Sequence, residues 1–343
     1  MHNNNLHDIV IGLQYGDEGK GKVVNALSSK KEHYTHCIRF NGGPNAGHTV
    51  YHNNNKIVLH QIPIGILFGK KCLIGPGCVI NITKLNEECR MLKNLGYSTE
   101  LKELYIAYNA HIISPEMVNI DKVKGMKIGS TGNGIAQAYS AKMNRVGSLA
   151  KEHSSEITRI LELKLVDSYD FCRSAEKILF EGAQGFGLDI DHGKYPYVTS
   201  STCTVGGVYS CGGISHHNFG KVYGIAKPYE TYVGSKEFQN YLDADLEKLQ
   251  MEGEEIGATT GRPRQCNWLD ISGFVKAINT NGVTNLIFNK CDIFESVGIF
   301  KTKNPSIHNI NTFDEFKTHI EDIIFKNCES IEEVVWSGSP KKI

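Results

Sequence analysis

The chain has 343 residues, and its 37 basic and 37 acidic side chains give a formal net charge of zero at pH 7. This balance argues against a nonspecific nucleic-acid-binding protein, which requires an excess of positive charge. The polar stretch Met1–Asp8 does not resemble a signal peptide, no apolar run approaches a membrane span, and the ten cysteines include no Cys-x-x-Cys pair, so we expect a cytoplasmic protein with neither nucleic acid nor membrane as a partner.

Short apolar runs alternate with amphipathic segments along the chain. The predicted strands are Ile9–Leu13, Cys37–Phe40, Lys56–Leu59, Cys72–Ile74, Leu104–Ala107, Lys177–Phe180, Val222–Ile225, Asn285–Phe288 and Glu333–Trp336. The predicted helices are Ile82–Leu95, Ser154–Leu165, the highly charged Phe238–Glu255 and Phe313–Phe325. This alternation predicts an α/β fold with a mainly parallel central sheet flanked by helices, in a single domain over residues 1–343 with long inserted loops.

The first glycine-rich loop, Gly16-Asp-Glu-Gly-Lys-Gly-Lys22, directly follows the first predicted strand. Its glycines and lysines suit a phosphate group, and the helix predicted after it would present its positive end to the same anion. The next residue is Val23, so the Ser or Thr hydroxyl that binds magnesium in nucleoside-triphosphate loops is missing. Asp17 and Glu18 lie inside the loop, and a carboxylate there favours a metal ligand or a base. The alternative is a glycine-rich turn with solvated charges.

Three further loops combine glycines with polar side chains. Residues 41–49 hold Asn45 and His48, and a histidine in such a loop is a candidate general acid. Residues 128–134 are rich in Gly, Ser and Thr and suit a phosphate. Residues 180–185 and 188–201 offer an amide and several hydroxyls, for which turn and capping chemistry is the alternative interpretation.

The last two motifs point to anion binding and guanine recognition. Arg262 and Arg264 follow small hydroxyl residues and form a candidate clamp for a carboxylate or phosphate. Asn289-Lys-Cys-Asp292 follows a predicted strand, and an aspartate there can accept hydrogen bonds from N1–H and the 2-amino group of guanine. Together with the first loop, this motif favours GTP over ATP.

Taken in this order, the motifs resemble those of the adenylosuccinate synthetase family. The resemblance rests on the first loop, Asn45-Ala-Gly-His-Thr49, Glu181-Gly-Ala-Gln-Gly185, Asp189–Ser201 and Ala258-Thr-Thr-Gly-Arg262, and it runs from Ile9 to about Asp292 and resumes near the C-terminus. It implies a GTP-dependent carbon–nitrogen ligase of purine nucleotide biosynthesis, which joins IMP and L-aspartate through a 6-phosphoryl-IMP intermediate. This reaction is the first committed step from IMP to AMP.

The resemblance also implies roles for individual residues. Asp17 is similar to the base that takes the N1 proton of IMP and ligates Mg²⁺, with the Gly47 carbonyl as a second metal ligand. His48 resembles the acid at the 6-oxygen, and Lys20 and Gln184 complete the catalytic set. The residues expected to bind IMP or aspartate are Asn45, Thr131, Arg145, Gln184, Thr199, Ala258, Thr259, Thr260, Gly261 and Arg262. Those expected to bind GTP are Gly16, Glu18, Gly19, Lys20, Gly21, Lys22, Gly47, His48, Thr49, Arg264, Lys290, Cys291, Asp292, Ser337, Gly338 and Ser339. Arg145 resembles a residue that reaches the neighbouring subunit, which implies a homodimer.

The chain departs from the family pattern at several positions. Asn133 and Tyr232 stand where the family commonly has arginine, Pro263 interrupts an arginine run, and the region after Asp292 is shorter than in the long members. Two other functions stay open. A viral homologue uses dGMP in place of IMP, although it tends to lose the aspartate corresponding to Asp17. A GTPase switch would share the first loop and the guanine motif, but their separation here is too long for that fold.

Overall fold

The computed structural model describes residues 6–30, 33–125, 129–257, 261–304 and 306–339. Its strands are, in chain order, β1 (His7–Gly12), β2 (His36–Arg39), β3 (His48–His52), β4 (Asn55–Leu59), β5 (Lys71–Ile74), β6 (Val79–Ile80), β7 (Leu104–Ala107), β8 (His111–Ile112), β9 (Lys164–Val166), β10 (Ile178–Glu181), β11 (Phe219–Ala226), β12 (Tyr229–Tyr232), β13 (Gln265–Asp270), β14 (Asn285–Phe288), β15 (Phe300–Asn304), β16 (Ser306–Ile310) and β17 (Glu333–Trp336). Its α-helices are α1 (Lys20–Ser28), α2 (Ile82–Asn94), α3 (Pro115–Lys124), α4 (Ile135–Met143), α5 (Ser154–Leu161), α6 (Ser168–Arg173), α7 (Ala244–Glu252), α8 (Ile271–Asn281), α9 (Cys291–Val297) and α10 (Phe313–Asn327).

Nine strands form the central sheet in the order β17-β14-β11-β1-β10-β2-β5-β7-β9. Every neighbouring pair in it is parallel. Every residue of β1, β2, β10 and β14 is buried, as expected for apolar strands of a parallel sheet that is covered on both faces. The fold class predicted from the sequence, a mainly parallel α/β sheet flanked by helices, is confirmed.

The helices follow local sequence signals. The Asn81 side chain caps α2 by accepting a hydrogen bond from the Lys84 backbone N–H, and the Thr312 side chain caps α10 in the same way. Helix α10 buries Phe316, Ile320 and Ile324, which recur every four residues and therefore lie on one face. In the described part of the chain, no helix is both long and apolar enough to cross a membrane.

Three predicted elements differ from the structure. The run Lys56–Leu59 is a strand, but it pairs with β3 in an antiparallel hairpin outside the central sheet. The segment Ser154–Leu165 is helical only to Leu161, because Glu162 adopts a left-handed conformation and the next residues pair with β7 as β9. The stretch Phe238–Glu255 is helical only over α7, since the Gln265 side chain accepts hydrogen bonds from the backbone N–H groups of residues 238 and 239.

The glycine-rich loops lie at one edge of the central sheet. The loops after β1, β2, β10 and β14 all leave the carboxyl ends of parallel strands, which meet at the same edge. Four of the predicted motifs are thereby brought together, although the first ends at Lys22 and the last begins only at Asn289. The hairpin β3–β4 adds a wall beside α1.

Candidate functional site

The loop between β1 and α1 is a tight turn that faces the N-terminus of a helix. Gly16 and Gly19 have φ angles of 86° and 90°, which side chains other than glycine rarely adopt. Helix α1 has no side-chain cap, so its first backbone N–H groups and its dipole are directed at the loop. This geometry suits an anion such as a nucleotide phosphate.

The Glu18 carboxylate is buried inside this loop. Its Oε1 accepts hydrogen bonds from the backbone N–H groups of Gln14 (3.2 Å) and Gly16 (2.8 Å), and its Oε2 contacts Lys20 Nζ at 2.6 Å. A Cβ atom on Gly12 would lie 2.5 Å from Glu18 Oε2, which explains the glycine at the end of β1. Glu18 is expected to bind GTP. Its side chain instead points into the loop, where it forms an internal ion pair with Lys20.

The Asp17 carboxylate points outward and is paired with an arginine from a distant loop. Arg264 Nε donates to Asp17 Oδ2 at 2.7 Å, and the Asp17 side chain is 31% exposed. Asp17 is also one of the few non-glycine residues with a positive φ, at 59°. Strained backbone of this kind is concentrated at functional sites, and two other candidates, Gln184 and Lys290, share it with φ angles of 58° and 59°.

His48 is anchored to the core of the sheet by a buried ion pair. Its Nδ1 lies 2.6 Å from Glu181 Oε1, and Arg39 Nη2 contacts the same oxygen at 2.8 Å. The Ile64 backbone N–H donates to the other carboxylate oxygen at 2.8 Å. Arg39 and Glu181 face each other because they are register partners at the ends of β2 and β10.

Burial and charge set the ionisation of this cluster. Burial by itself raises the pKa of the Glu181 carboxyl, but Arg39 and the hydrogen bond from His48 outweigh it and lower that pKa to about 2. Burial, with the Arg39 charge, lowers the pKa of His48 to about 4. The imidazole is therefore neutral at pH 7, with its Nδ1–H donated to Glu181.

The first loop, His48 and Arg264 border a pocket with a cavity volume of about 350 Å³, within the usual range for small-molecule sites. The predicted site residues that line it are Gly16, Asp17, Gly19, Lys20, Gly21, Asn45, Gly47, His48, Thr49, Thr131, Gln184, Thr199, Arg262, Arg264 and Lys290. Two of them, Asn45 and Gln184, have buried amide oxygens that accept no hydrogen bond from the described residues. Unsatisfied buried acceptors are costly, so they indicate a polar ligand.

A second cluster of predicted residues lies next to the pocket, beyond α1. Lys22 Nζ donates to Ser337 Oγ at 2.7 Å and to the Ser339 carbonyl at 2.9 Å, and the Cys291 N–H donates to the Ser337 carbonyl at 3.2 Å. Burial lowers the pKa of Lys22 to about 8, against the opposing influence of Cys291 and Asp292. The C-terminal segment 337–339 is thereby joined to the guanine motif, with Gly338 packed beside Asp292.

The remaining predicted residues lie elsewhere. Arg145 is exposed and does not line the pocket, and Gly261 does not line it either. Ala258, Thr259 and Thr260 lie outside the described residues.

The positions that depart from the family pattern each have a local partner. The Tyr232 ring packs against Tyr15 and Phe238, and Lys236 Nζ lies 5.7 Å from the centre of the Tyr232 ring. The Asn133 amide oxygen accepts from Lys84 Nζ at 2.5 Å. Pro263 forms an isolated β-bridge with Ile256.

Several site residues were not predicted from the sequence. Arg39 lies in the predicted apolar strand Cys37–Phe40, where a charged residue is a signal that could have identified it. Glu181 is the first residue of the motif Glu181–Gly185, but no role was predicted for it. Asn289 Nδ2 donates to the Glu18 carbonyl at 2.8 Å and so ties the guanine motif to the first loop. Glu255, another buried carboxylate near the pocket, lies in a charged stretch that the sequence predicts to be an exposed helix.

The described residues contain no group of three or more His, Cys, Asp or Glu side chains that could hold a metal ion. Asp17 and Gly47 nevertheless line the same pocket, and they offer a carboxylate and a carbonyl oxygen. Mg²⁺ prefers oxygen ligands and is usually held by one or two carboxylates together with substrate phosphates. The donor set therefore fits Mg²⁺ bound together with a nucleotide.

Comparison with known proteins gives consistent results. The family model described as adenylosuccinate synthetase matches residues 9–168 and 154–321. The chain is 36% identical to the adenylosuccinate synthetase of Geobacter sulfurreducens, over 95% of this chain and 85% of that protein, and 36% identical to that of Chlorobium luteolum, over 90% and 82%.

Two solved structures have the same fold. The fully ligated adenylosuccinate synthetase from Plasmodium falciparum is similar with a TM-score of 0.82 at 28% identity, over 98% of both chains. The succinoaminodeoxyadenylate synthetase of cyanophage S-2L, bound to dGMP and dATP, has a TM-score of 0.75 at 24% identity, over 98% of this chain and 93% of that one. The second likeness concerns the fold alone.

Proposed function

Because the chain belongs to the adenylosuccinate synthetase family, we propose that it joins IMP and L-aspartate to form adenylosuccinate, with conversion of GTP to GDP and phosphate. The observation that carries this proposal is the placement of Asp17 and His48 on one pocket, where Asp17 is held by an ion pair with Arg264 and His48 by a hydrogen bond to Glu181. A base and a proton donor are the two groups that activation of the purine 6-oxygen requires.

Asp17 takes the N1 proton of IMP, and the 6-oxygen then accepts the γ-phosphoryl group while GDP departs. The amino group of aspartate attacks C6, and phosphate leaves with the 6-oxygen. Burial and the Arg39 charge keep His48 neutral, and a bound phosphoryl anion favours its imidazolium form. Glu181 accepts the Nδ1–H of His48 throughout, which leaves Nε2 to serve the 6-oxygen.

Asp17 and Gly47 are the residues that would hold Mg²⁺. The ion supplies positive charge to the GTP phosphates when it is bound. Lys20 lies between the first loop and the pocket, and its exchange from Glu18 to a phosphate oxygen would place a second positive charge there. Asp292 and Lys290 serve guanine, and Arg262 and Arg264 serve aspartate and GTP. Asn45, Thr131, Gln184 and Thr199 bind IMP.

A homodimer completes the proposed site. Arg145 has a φ of 62° and is exposed between Met143 and Val146, whose side chains are 73% and 77% exposed. An arginine flanked by exposed apolar groups, and outside its own pocket, suits a contact with the IMP phosphate of a second subunit. We also propose one domain over residues 1–343, supported by a core that runs from Ile9 to Ile331, and a cytoplasmic location, supported by ten free buried cysteines.

Product analysis tests the function directly. Purified protein is incubated with GTP, Mg²⁺ and aspartate, together with either IMP or dGMP, and the products are separated by chromatography. Adenylosuccinate from IMP, lost in Asp17→Asn, supports the proposal. Product from dGMP alone would assign the chain to the deoxynucleotide reaction, and GTP turnover without IMP and aspartate would indicate a GTPase.

A further inference from the structure

A buried carboxylate, Glu255, lies behind the pocket and receives four donors. Glu255 is 1% exposed. Its Oε1 contacts Tyr229 Oη at 2.6 Å, Lys290 Nζ at 2.9 Å and Lys227 Nζ at 3.5 Å, and its Oε2 accepts from Arg264 Nη1 at 2.6 Å. Two of these donors, Lys290 and Arg264, line the pocket, whereas Lys227 and Tyr229 do not.

Arg264 is shared between this carboxylate and the proposed base. One edge of the guanidinium binds Glu255 through Nη1, and Nε binds Asp17 at 2.7 Å. The planar guanidinium fixes the relative positions of two carboxylates that bind it at the same time. Glu255 therefore fixes the orientation in which the Arg264 guanidinium faces Asp17.

Lys290 is held by the same turn. Its Nζ donates to the Gly253 carbonyl at 2.7 Å as well as to Glu255. Glu254 has a φ of 45°, so the chain accepts backbone strain directly before Glu255. The Arg264 backbone N–H donates to the Glu255 carbonyl at 2.8 Å, which joins the turn to the loop that carries the arginine.

We propose that Glu255 is a positioning residue that sets Lys290 and Arg264 relative to each other, and so couples the guanine end of the GTP site to the base Asp17. The proposal rests on the proposed function. Glu255 does not line the pocket and acts through its two pocket-lining partners.

Electrostatics keeps Glu255 ionised for this role. Burial raises the pKa of its carboxyl, but the charges of Lys227, Lys290 and Arg264 outweigh burial and hold the pKa well below its usual range. Lys227 is the most deeply buried of these three cations, with a side chain that is 1% exposed. Its side-chain partners, Thr231 and Glu255, do not line the pocket. Substitution of Lys227 or Tyr229 should therefore change mainly stability, whereas substitution of Lys290 or Arg264 should change function.

The test compares Glu255→Gln with Tyr229→Phe, which removes one donor to the same carboxylate without touching the pocket. For Glu255→Gln we expect a tenfold or larger rise in KM for GTP and a tenfold or larger fall in kcat, with KM for IMP changed less than threefold. For Tyr229→Phe we expect a lower Tm with kcat and KM within threefold of wild type. If Glu255→Gln does not fold, Glu255→Gln/Lys227→Met, which restores the buried charge balance, takes its place.

Double variants show whether Glu255 acts through its partners. Glu255→Gln added to Arg264→Met should lower kcat no further, and Glu255→Gln added to Lys290→Met should raise KM for GTP no further. The proposal is overturned if Glu255→Gln lowers only Tm, or if its effects multiply with those of both partner variants.

Calorimetry with GDP separates this inference from the proposed function. Weaker GDP binding by Glu255→Gln than by Tyr229→Phe supports the link to Lys290 even if wild-type protein forms no adenylosuccinate. Equal GDP binding by wild type and Glu255→Gln rejects that link even if the wild-type enzyme is active.

Discussion

His48 Nδ1 lies 2.6 Å from Glu181 Oε1, so the proposed acid is fixed by a residue of the sheet core and not by its own loop. Glu181→Gln should therefore lower kcat and also destabilise the fold. The substitution leaves the Arg39 guanidinium buried without its carboxylate, and breaking a buried pair costs about 3–5 kcal/mol. Urea denaturation measures the loss of stability, and steady-state kinetics at 25 °C measures kcat.

The double variant Arg39→Met/Glu181→Gln is the matched control. Removing both charges should recover most of the lost unfolding free energy, since no unpaired ion stays buried. Activity should stay low, because the neutral amide of Gln is a weaker acceptor than the carboxylate and no longer stabilises the imidazolium form of His48. Recovery of both together would show that Glu181 serves stability alone.

His48→Ala should abolish measurable turnover while the protein stays folded. General acid–base groups contribute about 10²–10⁴-fold to rate, and the imidazole also fills a buried position beside α1. The measurement is kcat with saturating GTP, IMP and aspartate, alongside the far-UV circular dichroism spectrum. Activity within a few-fold of wild type would contradict the assigned role.

Gly19→Ala should damage the first loop by two separate effects. The φ of 90° disfavours any side chain, and a Cβ would lie 2.7 Å from Asn289 Nδ2, which ties the guanine motif to this loop. Gly282→Ala is the matched control, because Gly282 has a φ of 58° and nothing within 4 Å of the added Cβ. It should cost only the conformational penalty of about 1–2 kcal/mol. KM for GTP should rise in the first variant and stay unchanged in the second.

Because of the buried Glu230, the free energy of unfolding should fall as the pH rises. Burial, and then the nearby Asp270 carboxylate, raise its pKa from 4.5 to about 8, against the opposing charges of Lys236 and Lys303. The folded chain thus keeps a proton that the unfolded chain releases near pH 4.5. Its stabilising contribution is complete below pH 4.5 and is lost as the pH rises through 8.

Glu230→Gln should remove this dependence, which is on the order of a few kcal/mol between pH 5 and 9. Urea denaturation at several pH values gives the unfolding free energy for wild type, Glu230→Gln and the control Glu329→Gln, whose side chain is exposed. Parallel pH curves for wild type and Glu230→Gln would show that Glu230 is ionised in the folded state.

Mixing two inactive variants tests whether Arg145 reaches the second subunit. Asp17→Asn chains supply an intact Arg145, and Arg145→Leu chains supply an intact Asp17. In a two-fold dimer that exchanges subunits at random, one site in four has both groups, so the mixture should show about one quarter of wild-type activity. Light scattering gives the oligomeric state. An inactive mixture of verified heterodimers would place Arg145 in its own site or outside the reaction.

Local signals in the sequence predict the outline of this molecule. Hydrophobic periodicity and turn chemistry are sufficient to recognise the apolar runs and the glycine loops that follow them. These runs become β1, β2, β5, β7 and β14. The Arg39–Glu181 pair cannot be predicted from local patterns, because it depends on the register between two strands and its members are 142 residues apart. Glu255 lies in a segment whose charge is typical of a solvated helix, and only tertiary contacts bury it. The sequence therefore predicts the residues that line the pocket better than the buried residues that hold them in place.

The position of β1 in the sheet has a consequence for synthesis of the chain. Ile9 pairs with Phe180 on one side and with Val222 on the other, so β1 is completed by two strands that are made much later than β1 itself. A nascent chain that ends before Ile178 has neither partner, and both edges of an apolar strand stay open to other chains. The glycine loop after β1 therefore acquires its defined shape only after residues 178–226 have been made.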